Sequence, residues 1–577
     1  MLQVGPHVRP NSNNFVTVIG GVPLFILSYN TELSDGTSSP SLNAVLPMTA
    51  GPEVDWTEVI NNLNSHTYAS GDTYQITIDN TNADFRFDNI GDKIKIIDVS
   101  KCNGLNITNN SVFRGCGNLQ WSATDAPNIV TTNLDSIFLG CGSMDGDLSK
   151  WDVSNATRMV NMFFSASSFT GGGIENWNVG NCENFFQMFF GANSFNAAEI
   201  GVWDMSSATN IGGMFRSNSG FNKYIGDWVV DNVTNMSHLF AGASSFNQDI
   251  SGWDVRNNVV FHAMLANANS FNHDLSPWRF DSANDVSWMF TGNPVFNNGV
   301  GDGQFPLATN FSNMFASASV FNFDISGWNT PNATNMATMF KNATSFNRNL
   351  TSWDVANVTN MTEMFSGANG FNGTINGWTT TSLTDMTFMF LNAWAFNQDV
   401  DNWDVSGVSD MSAVFAGAIG FDKSVNAWDV SNVTLFNNMF DSATVYNQAM
   451  NSWVTTSATN MTEMFKDCGA FNQDISSWNV SSVTDMSGMF LRATAFDQDL
   501  TGWNVGAVTD MANMLDNSGM STANYDNFLV MCNATSSQAN VVVGAAGLTY
   551  TSAGAGGTAR TALINDHGWS FVGDSGV

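Results

Sequence analysis

Basic side chains are scarce: 18 Lys and Arg stand against 50 Asp and Glu in 577 residues, a formal charge of −32. That balance excludes nucleic acid as a partner, because phosphates are neutralised by clustered Lys and Arg. Long apolar runs are missing as well. None approaches the roughly 20 residues that a bilayer-spanning helix needs, so no membrane insertion is expected. The six cysteines include no CxxC pair, which speaks against zinc. The six histidines (His7, His66, His238, His262, His273 and His567) are spread without ligand spacing, and no HExxH, nucleophile elbow or phosphate loop occurs. A secretion leader is not evident: Met1 to Asn14 holds one Arg and no Lys, and Val16 to Leu27 is broken by Gly20, Gly21 and Pro23. Either the ordinary export route is not used or a leader has been removed. Only 12% of residues are charged while 43% are hydrophobic, so the chain folds and is not an acidic disordered tail.

What is present is repetition. Trp falls at 151, 177 and 203, then every 25 residues from 228 to 503, with one vacancy at Gly303. A Phe series keeps step from Phe113 through Phe365 to Phe490, closing on Leu515. About 17 units therefore cover roughly residues 100 to 515, and a fixed period of this length signals a solenoid. Stacked on parallel strands about 4.8 Å apart, they would make a rod roughly 80 Å long.

Taking Trp as position 1, the unit Trp353 to Gly377 reads WDVANVTNMTEMFSGANGFNGTING. Trp353 and Val355 alternate as in a short strand. Met361, Met364, Phe365 and Ala368 follow helical i, i+3, i+4, i+7 spacing, with Thr359 placed to cap the helix. One strand and one short helical turn per unit is the economy of a leucine-rich repeat. The predicted fold is thus an α/β repeat solenoid, a leucine-rich-repeat-like rod with short parallel strands and short helical turns. No unit can bury its own Trp, Met and Phe, so each must stack on its neighbours. Each buried ring contributes roughly 1.5–3 kcal/mol, and the aromatic and Met stripes are core, not cofactor boxes.

Other columns run in register. Position 20 is Asn in nearly every unit (Asn222, Asn247, Asn347, Asn372 and others), with Asp422 and Asp497 as substitutes. A column of amides can satisfy turn backbone groups and the next coil. Cys116, Cys141 and Cys468 occupy the small-residue position 16 as buried thiols, although Cys116 and Cys141 on adjacent coils would permit a disulfide. Asp249 and Asp274, and again Asp474 and Asp499, share position 22 on neighbouring coils. Such carboxylates need local turn donors or a hard cation such as Ca2+, or they act as a catalytic pair. Interruption of the column by Thr374, Ser424 and Ala449 weighs against a metal. No other cofactor is implied.

Aromatics that leave the pattern are candidate binding residues: Trp288 and Phe388 at position 11, Trp394 at position 17, Phe164 and Phe190 at position 14. Solvent-facing rings mark binding surfaces, including those on which sugars stack, unless the rings lie flush and partly covered. The unit lacking its Trp at Gly303 is expected to bend or open a local groove.

The ends do not repeat. Residues 1–50 are expected to be an attachment segment, 51–100 an N-terminal cap, 101–515 the solenoid and 516–577 a C-terminal cap. Within the N-terminal part TYQITIDN and KIKIIDVS read as strands and VDWTEVINNLNSH as a helix. After Leu515 the ladder is expected to stop, with VVVGAAGLTYTSAGAGG as strand and loop.

With MFSGANGFNGTINGWTT and MFKDCGAFNQDISSWNVSSVTDMSGMF in view, the chain resembles the BspA-like leucine-rich-repeat surface proteins, a repeat type also seen in mycoplasma lipoproteins. Its ending, with Ala559, Arg560, Leu563 and Gly568–Trp569, is similar to the ending of such chains in marine bacteria and their phages. The resemblance implies extracellular adhesion to host proteins, glycans or other cells, without catalysis, and it maps no binding residue. Because the family's bacterial members carry a secretion signal, a phage virion protein is the first expectation: a receptor-binding, tail-fibre or decoration protein on the virion surface. Its partners would be a host-surface glycan or protein and, through the N-terminal segment, other virion proteins. A secreted bacterial cell-surface adhesin is the alternative, and a polysaccharide-degrading tail enzyme a remote one.

Overall fold

The computed structural model describes residues 24–30, 43–45, 53–55, 60–61, 65–67, 73–79, 86–88 and 93–577 apart from 197–198. From residue 106 onward, neighbouring repeats lie side by side in parallel register. A backbone bridge recurs at position 8, from Asn133–Arg158 through Asn335–Asn360 to Asp485–Asp510. The Trp, Met and Phe series face inward. Trp253, Trp353 and Trp453 are 3%, 2% and 3% exposed, and successive indoles stack, as at Trp228–Trp253 (6.3 Å) and Trp453–Trp478 (5.7 Å). Most of the buried indole N–H groups find a carbonyl, those of Trp121, Trp151 and Trp403 being exceptions. Trp353 Nε1 donates to the Ile325 carbonyl at 3.0 Å, the same oxygen that accepts the Trp328 backbone N–H at 3.1 Å.

Apart from the short parallel-paired strands Asn106–Ile107, Gln120–Trp121 and Asn128–Ile129 in the first units, the described backbone within a repeat is neither strand nor α-helix, which corrects the expected pairing of the two. Met361, Glu363, Phe365 and Gly367 donate their N–H groups to Asp385, Thr387, Met389 and Leu391 of the next repeat at 2.7–2.9 Å. Met364, Ser366 and Ala368 donate instead to carbonyls three residues back. The chain thus runs as overlapping turns whose alternate N–H groups point at the neighbouring repeat. Two residues per unit make this work, position 11 (Glu363, φ 53°) and position 15 (Gly367, φ 69°), both left-handed. A left-handed residue every four positions cannot belong to an α-helix. Among the described residues of the repeats the only helical segments are the 3₁₀ turns Ile174–Asn176 and Ile200–Val202. Thr359, expected as a helix cap, has no helix to cap. Its hydroxyl donates to the Thr334 carbonyl at 3.3 Å, one rung of a threonine column.

The asparagine column performs the role expected of it. Asn347 Oδ1 accepts the Asn372 N–H at 2.8 Å, Asn372 Oδ1 accepts that of Asn397 at 2.9 Å, and Asp422 Oδ1 accepts that of Asn447 at 3.0 Å. All six cysteines are free and buried, so the Cys116–Cys141 disulfide does not form. The Cys141 thiol donates to the Phe113 carbonyl at 3.0 Å, and burial pushes it far up from its ordinary pKa. Where Trp is missing at Gly303, Phe305 fills the column. Its ring lies 4.9 Å from Phe280 and 4.8 Å from Trp328, and Gln304 still bridges Asn329 in register.

At the N-terminal end a six-stranded sheet has the order Ile60–Asn61, Glu53–Asp55, Thr73–Asp79, Leu24–Asn30, Ile96–Lys101, Gln120–Trp121. Its pairs are antiparallel except the last, which is parallel and leads into the repeats. Leu24–Asn30, inside the stretch expected to be an attachment segment, is an inner strand of this sheet. The rest of that stretch, apart from Asn43–Val45, lies outside the described residues. At VDWTEVINNLNSH, expected as a helix, the described residues fall instead in the strands Glu53–Asp55, Ile60–Asn61 and Ser65–Thr67, and the others lie outside the described residues.

Beyond Leu515 the register does not stop. Met511 bridges Val543, Val542–Gly544 pairs in parallel with Ser570–Val572, and Thr549–Tyr550 pairs with Ser575–Gly576. True helices appear here, α1 (Thr522–Thr535) and α2 (Ala555–His567). Asp497, in the asparagine column, receives α1 by accepting the Ser521 N–H at 2.7 Å. A half-buried ion pair closes this end: Arg560 grips Asp574 with two bonds of 2.8 and 2.9 Å, Tyr525 donates to the same carboxylate at 3.0 Å, and the guanidinium lies 4.9 Å from the Tyr550 and Phe571 rings.

Candidate recognition surface

Positions 10, 11 and 14 alternate with the inward Met and Phe, so their side chains emerge on one face of the stack. Most are small or polar. The left-handed backbone at position 11 turns Trp288 (φ 60°) and Phe388 (φ 58°) outward, leaving them 41% and 37% exposed. Trp394 at position 17 is 52% exposed, beside the exposed Ile419 of the next repeat. None of these three rings contacts another aromatic ring among the described residues.

Phe164 and Phe190 are different. They stack at 4.4 Å and 3°, and the other side of Phe190 is covered by Arg216, whose Cζ lies 5.5 Å from the ring centre. Both rings are half-buried and flush with the surface, so Phe190 offers no open ring face.

Asp249, Asp274, Asp474 and Asp499 each turn Oδ1 to a backbone N–H two residues on, at 2.9–3.0 Å. The Ser251 hydroxyl and N–H hold Asp249 below the ordinary carboxylate value, and the Ser476 N–H and hydroxyl do the same for Asp474. Asp474 and Asp499 line one open depression of about 330 Å³ with Ser476, Gln498 and Thr501. No group of three or more His, Cys, Asp or Glu converges as a metal site among the described residues.

One constellation escaped the sequence reading. His238 and His262 are neighbours, with rings 4.9 Å apart at 62°. Their separation of 24 residues is one repeat less one, so position 11 of one unit meets position 10 of the next; read against the 25-residue period, that spacing would have placed them together. Ser287 Oγ donates to Asp285 Oδ1 at 2.6 Å and lies 2.7 Å from His262 Nδ1. The hydroxyl has one proton and the carboxylate can only accept, so His262 Nδ1–H donates to Ser287 and Nε2 is left as an acceptor. Ser287 is buried and spends its proton on Asp285, whose other oxygen lies 3.9 Å from His262 Nδ1, so this is not a nucleophile with its base. Burial, Arg216 and His262 together push His238 down to about 4. Arg216 lies over Phe190 but, among the described residues, meets no carboxylate and makes no side-chain hydrogen bond. Every other arginine between residues 101 and 577 meets a carboxylate or, for Arg348, a backbone carbonyl.

Comparison with known proteins agrees with the repeat geometry. A single family model, described as Mycoplasma protein of unknown function, DUF285, matches at residues 106–199, 197–303, 294–399, 374–472 and 410–528. No curated protein and no solved structure gave a match. The matches overlap and run unbroken from the first repeats into α1, well over half of the sequence, and the chain belongs to the DUF285 family.

Proposed function

We propose that the protein is a non-enzymatic recognition rod, a solenoid of about 17 leucine-rich-repeat-like coils of the BspA type, displayed outside a cell or particle. The observation that carries this reading is the contrast between interior and exterior. The repeat stack spends its Trp, Met and Phe columns on its own core, yet it leaves Trp288, Phe388 and Trp394 open to solvent. Exposed, unstacked rings on a rigid scaffold are what a binding surface needs, because they bring large contact area at low entropic cost. The net charge of −32 keeps such rods apart from one another. The carrier we favour is a phage virion, where the rod would serve as a receptor-binding, tail-fibre or decoration protein contacting host-surface glycan or protein.

Two measurements test this. Immunodetection on purified particles and on intact cells assigns the carrier; a signal on cells with none on particles assigns a bacterial surface adhesin instead. Labelled protein should adhere to host cells, and the triple variant Trp288→Ser, Phe388→Ser, Trp394→Ser should keep its melting temperature and lose adhesion. Adhesion equal to that of the unaltered chain would refute the reading.

A further inference from the structure

Resting on that reading, we infer that Arg216, His262 and Trp288 form a subsite for an acidic polysaccharide, a chain of sugar rings bearing carboxylates. The three side chains come from repeats in register, and at about 4.8 Å per repeat Arg216 and Trp288 are roughly 14 Å apart along the stack. Arg216 stands at position 14, His262 at position 10 and Trp288 at position 11 of their units, on the face where these positions emerge, which suits a ligand with repeated units. Its chemistry is unlike the rest of the molecule.

Arg216 is the arginine with neither a carboxylate within 4.0 Å nor a side-chain hydrogen bond among residues 101–577, on a chain with 32 net negative charges. Phe190 props its guanidinium from one side. A planar fork held in this way matches a carboxylate in two-point contact. His262 adds a second specificity. The Ser287–Asp285 relay fixes its proton on Nδ1, so Nε2 accepts from a hydroxyl, which a sugar supplies and a simple anion does not. Trp288 then offers an indole with no ring stacked on it, one repeat beyond His262. Ala263, next to His262 at position 11, is small, while His238 holds that position in the repeat between Arg216 and His262 and packs its ring 4.9 Å from His262. The neighbouring carboxylate, Asp285, spends one oxygen on the Ser287 N–H and hydroxyl. More distant acidic groups are screened at 0.15 M salt, where the Debye length is about 8 Å.

The test is native affinity electrophoresis of the full chain at 0.15 M salt through gels containing polygalacturonate, dextran sulfate or neutral dextran. The unaltered protein should be retarded by polygalacturonate and not by dextran. Losing a charge-assisted contact worth about 1.5–3 kcal/mol should weaken that binding about tenfold or more in Arg216→Met. Trp288→Ala should weaken it comparably, and Val454→Ala, an exposed residue on a distant repeat, should leave it unchanged. Equal retardation of Arg216→Met and the unaltered chain overturns the inference, as does equal retardation by dextran, or retardation by dextran sulfate alone. If no polysaccharide retards the protein but it still adheres to cells, the inference falls and the recognition reading stands. If adhesion is absent too, both fall.

Discussion

Thr338 occupies position 11 with φ 58°, a left-handed conformation that a β-branched residue rarely adopts. Holding an L-residue there costs roughly 1–2 kcal/mol, which the Thr338 N–H repays in part by donating to Thr362 of the next repeat at 2.7 Å. Glycine escapes that penalty but loses more chain entropy on folding, about 0.4–1 kcal/mol relative to alanine. The step from Thr338→Ala to Thr338→Gly should therefore stabilise the protein by roughly 0.5–1 kcal/mol. In a helix the same step would destabilise by about 1 kcal/mol. The sign alone separates the two backbones. Urea titration of both variants, followed by tryptophan emission, measures it as a shift of midpoint at constant slope. A lower midpoint for the glycine variant than for the alanine variant would refute the overlapping-turn account and restore the helix.

Three further outcomes follow from single contacts. Asn347→Ala removes the acceptor of the Asn372 N–H and should cost about 1 kcal/mol, whereas Asn347→Asp should be nearly neutral because Asp422 already fills the same rung; urea midpoints decide. Asp574→Asn leaves the half-buried Arg560 without its charge partner, and loss of about 1.5–3 kcal/mol should appear first as lost amide-exchange protection in α1 and α2, with the central repeats unaffected. His238 is depressed from 6.5 to about 4, so the unfolded chain takes up its proton first as pH falls. Its neutral form therefore supports the fold fully above pH 6.5, and stability drains between pH 6.5 and 4. His238→Ala should flatten the melting temperature across that window, and an unchanged pH profile would contradict the assignment.

The stacking was legible in advance because burial leaves a periodic mark: Trp353 and Phe365 recur at 25 residues since each must meet its own copy. Backbone conformation left a weaker mark. Met361, Met364, Phe365 and Ala368 face inward whether the chain is helical or runs as overlapping turns, so their spacing could not distinguish the two. Position 15 does show the left-handed demand, through Gly367, Asn342 and Asn392. Position 11 hides it, because Phe388, Thr338 and Glu363 are forced into that conformation by the neighbouring repeat. Helix α2 was missed for a related reason: it begins AlaGlyGly, a poor helix start that tertiary packing overrides. On the surface, Trp288, Phe388 and Trp394 stood out as large rings at polar positions. Phe190 did too, but only coordinates reveal that its neighbours cover it. The pairing of His238 with His262 was legible from their 24-residue spacing against the period, whereas the lack of a carboxylate partner for Arg216 depends on contacts between repeats that residue types alone do not report.

Everything rests on the buried tryptophan column, and fluorescence quenching addresses it most directly. Trp288 and Trp394 are the exposed indoles, and Trp56 lies outside the described residues, so the probe is the chain carrying Trp56→Phe, Trp288→Phe and Trp394→Phe. The account predicts blue-shifted emission that iodide barely quenches until the protein is unfolded in urea. Emission at solvent-exposed wavelengths, quenched by iodide in the native state, would contradict it.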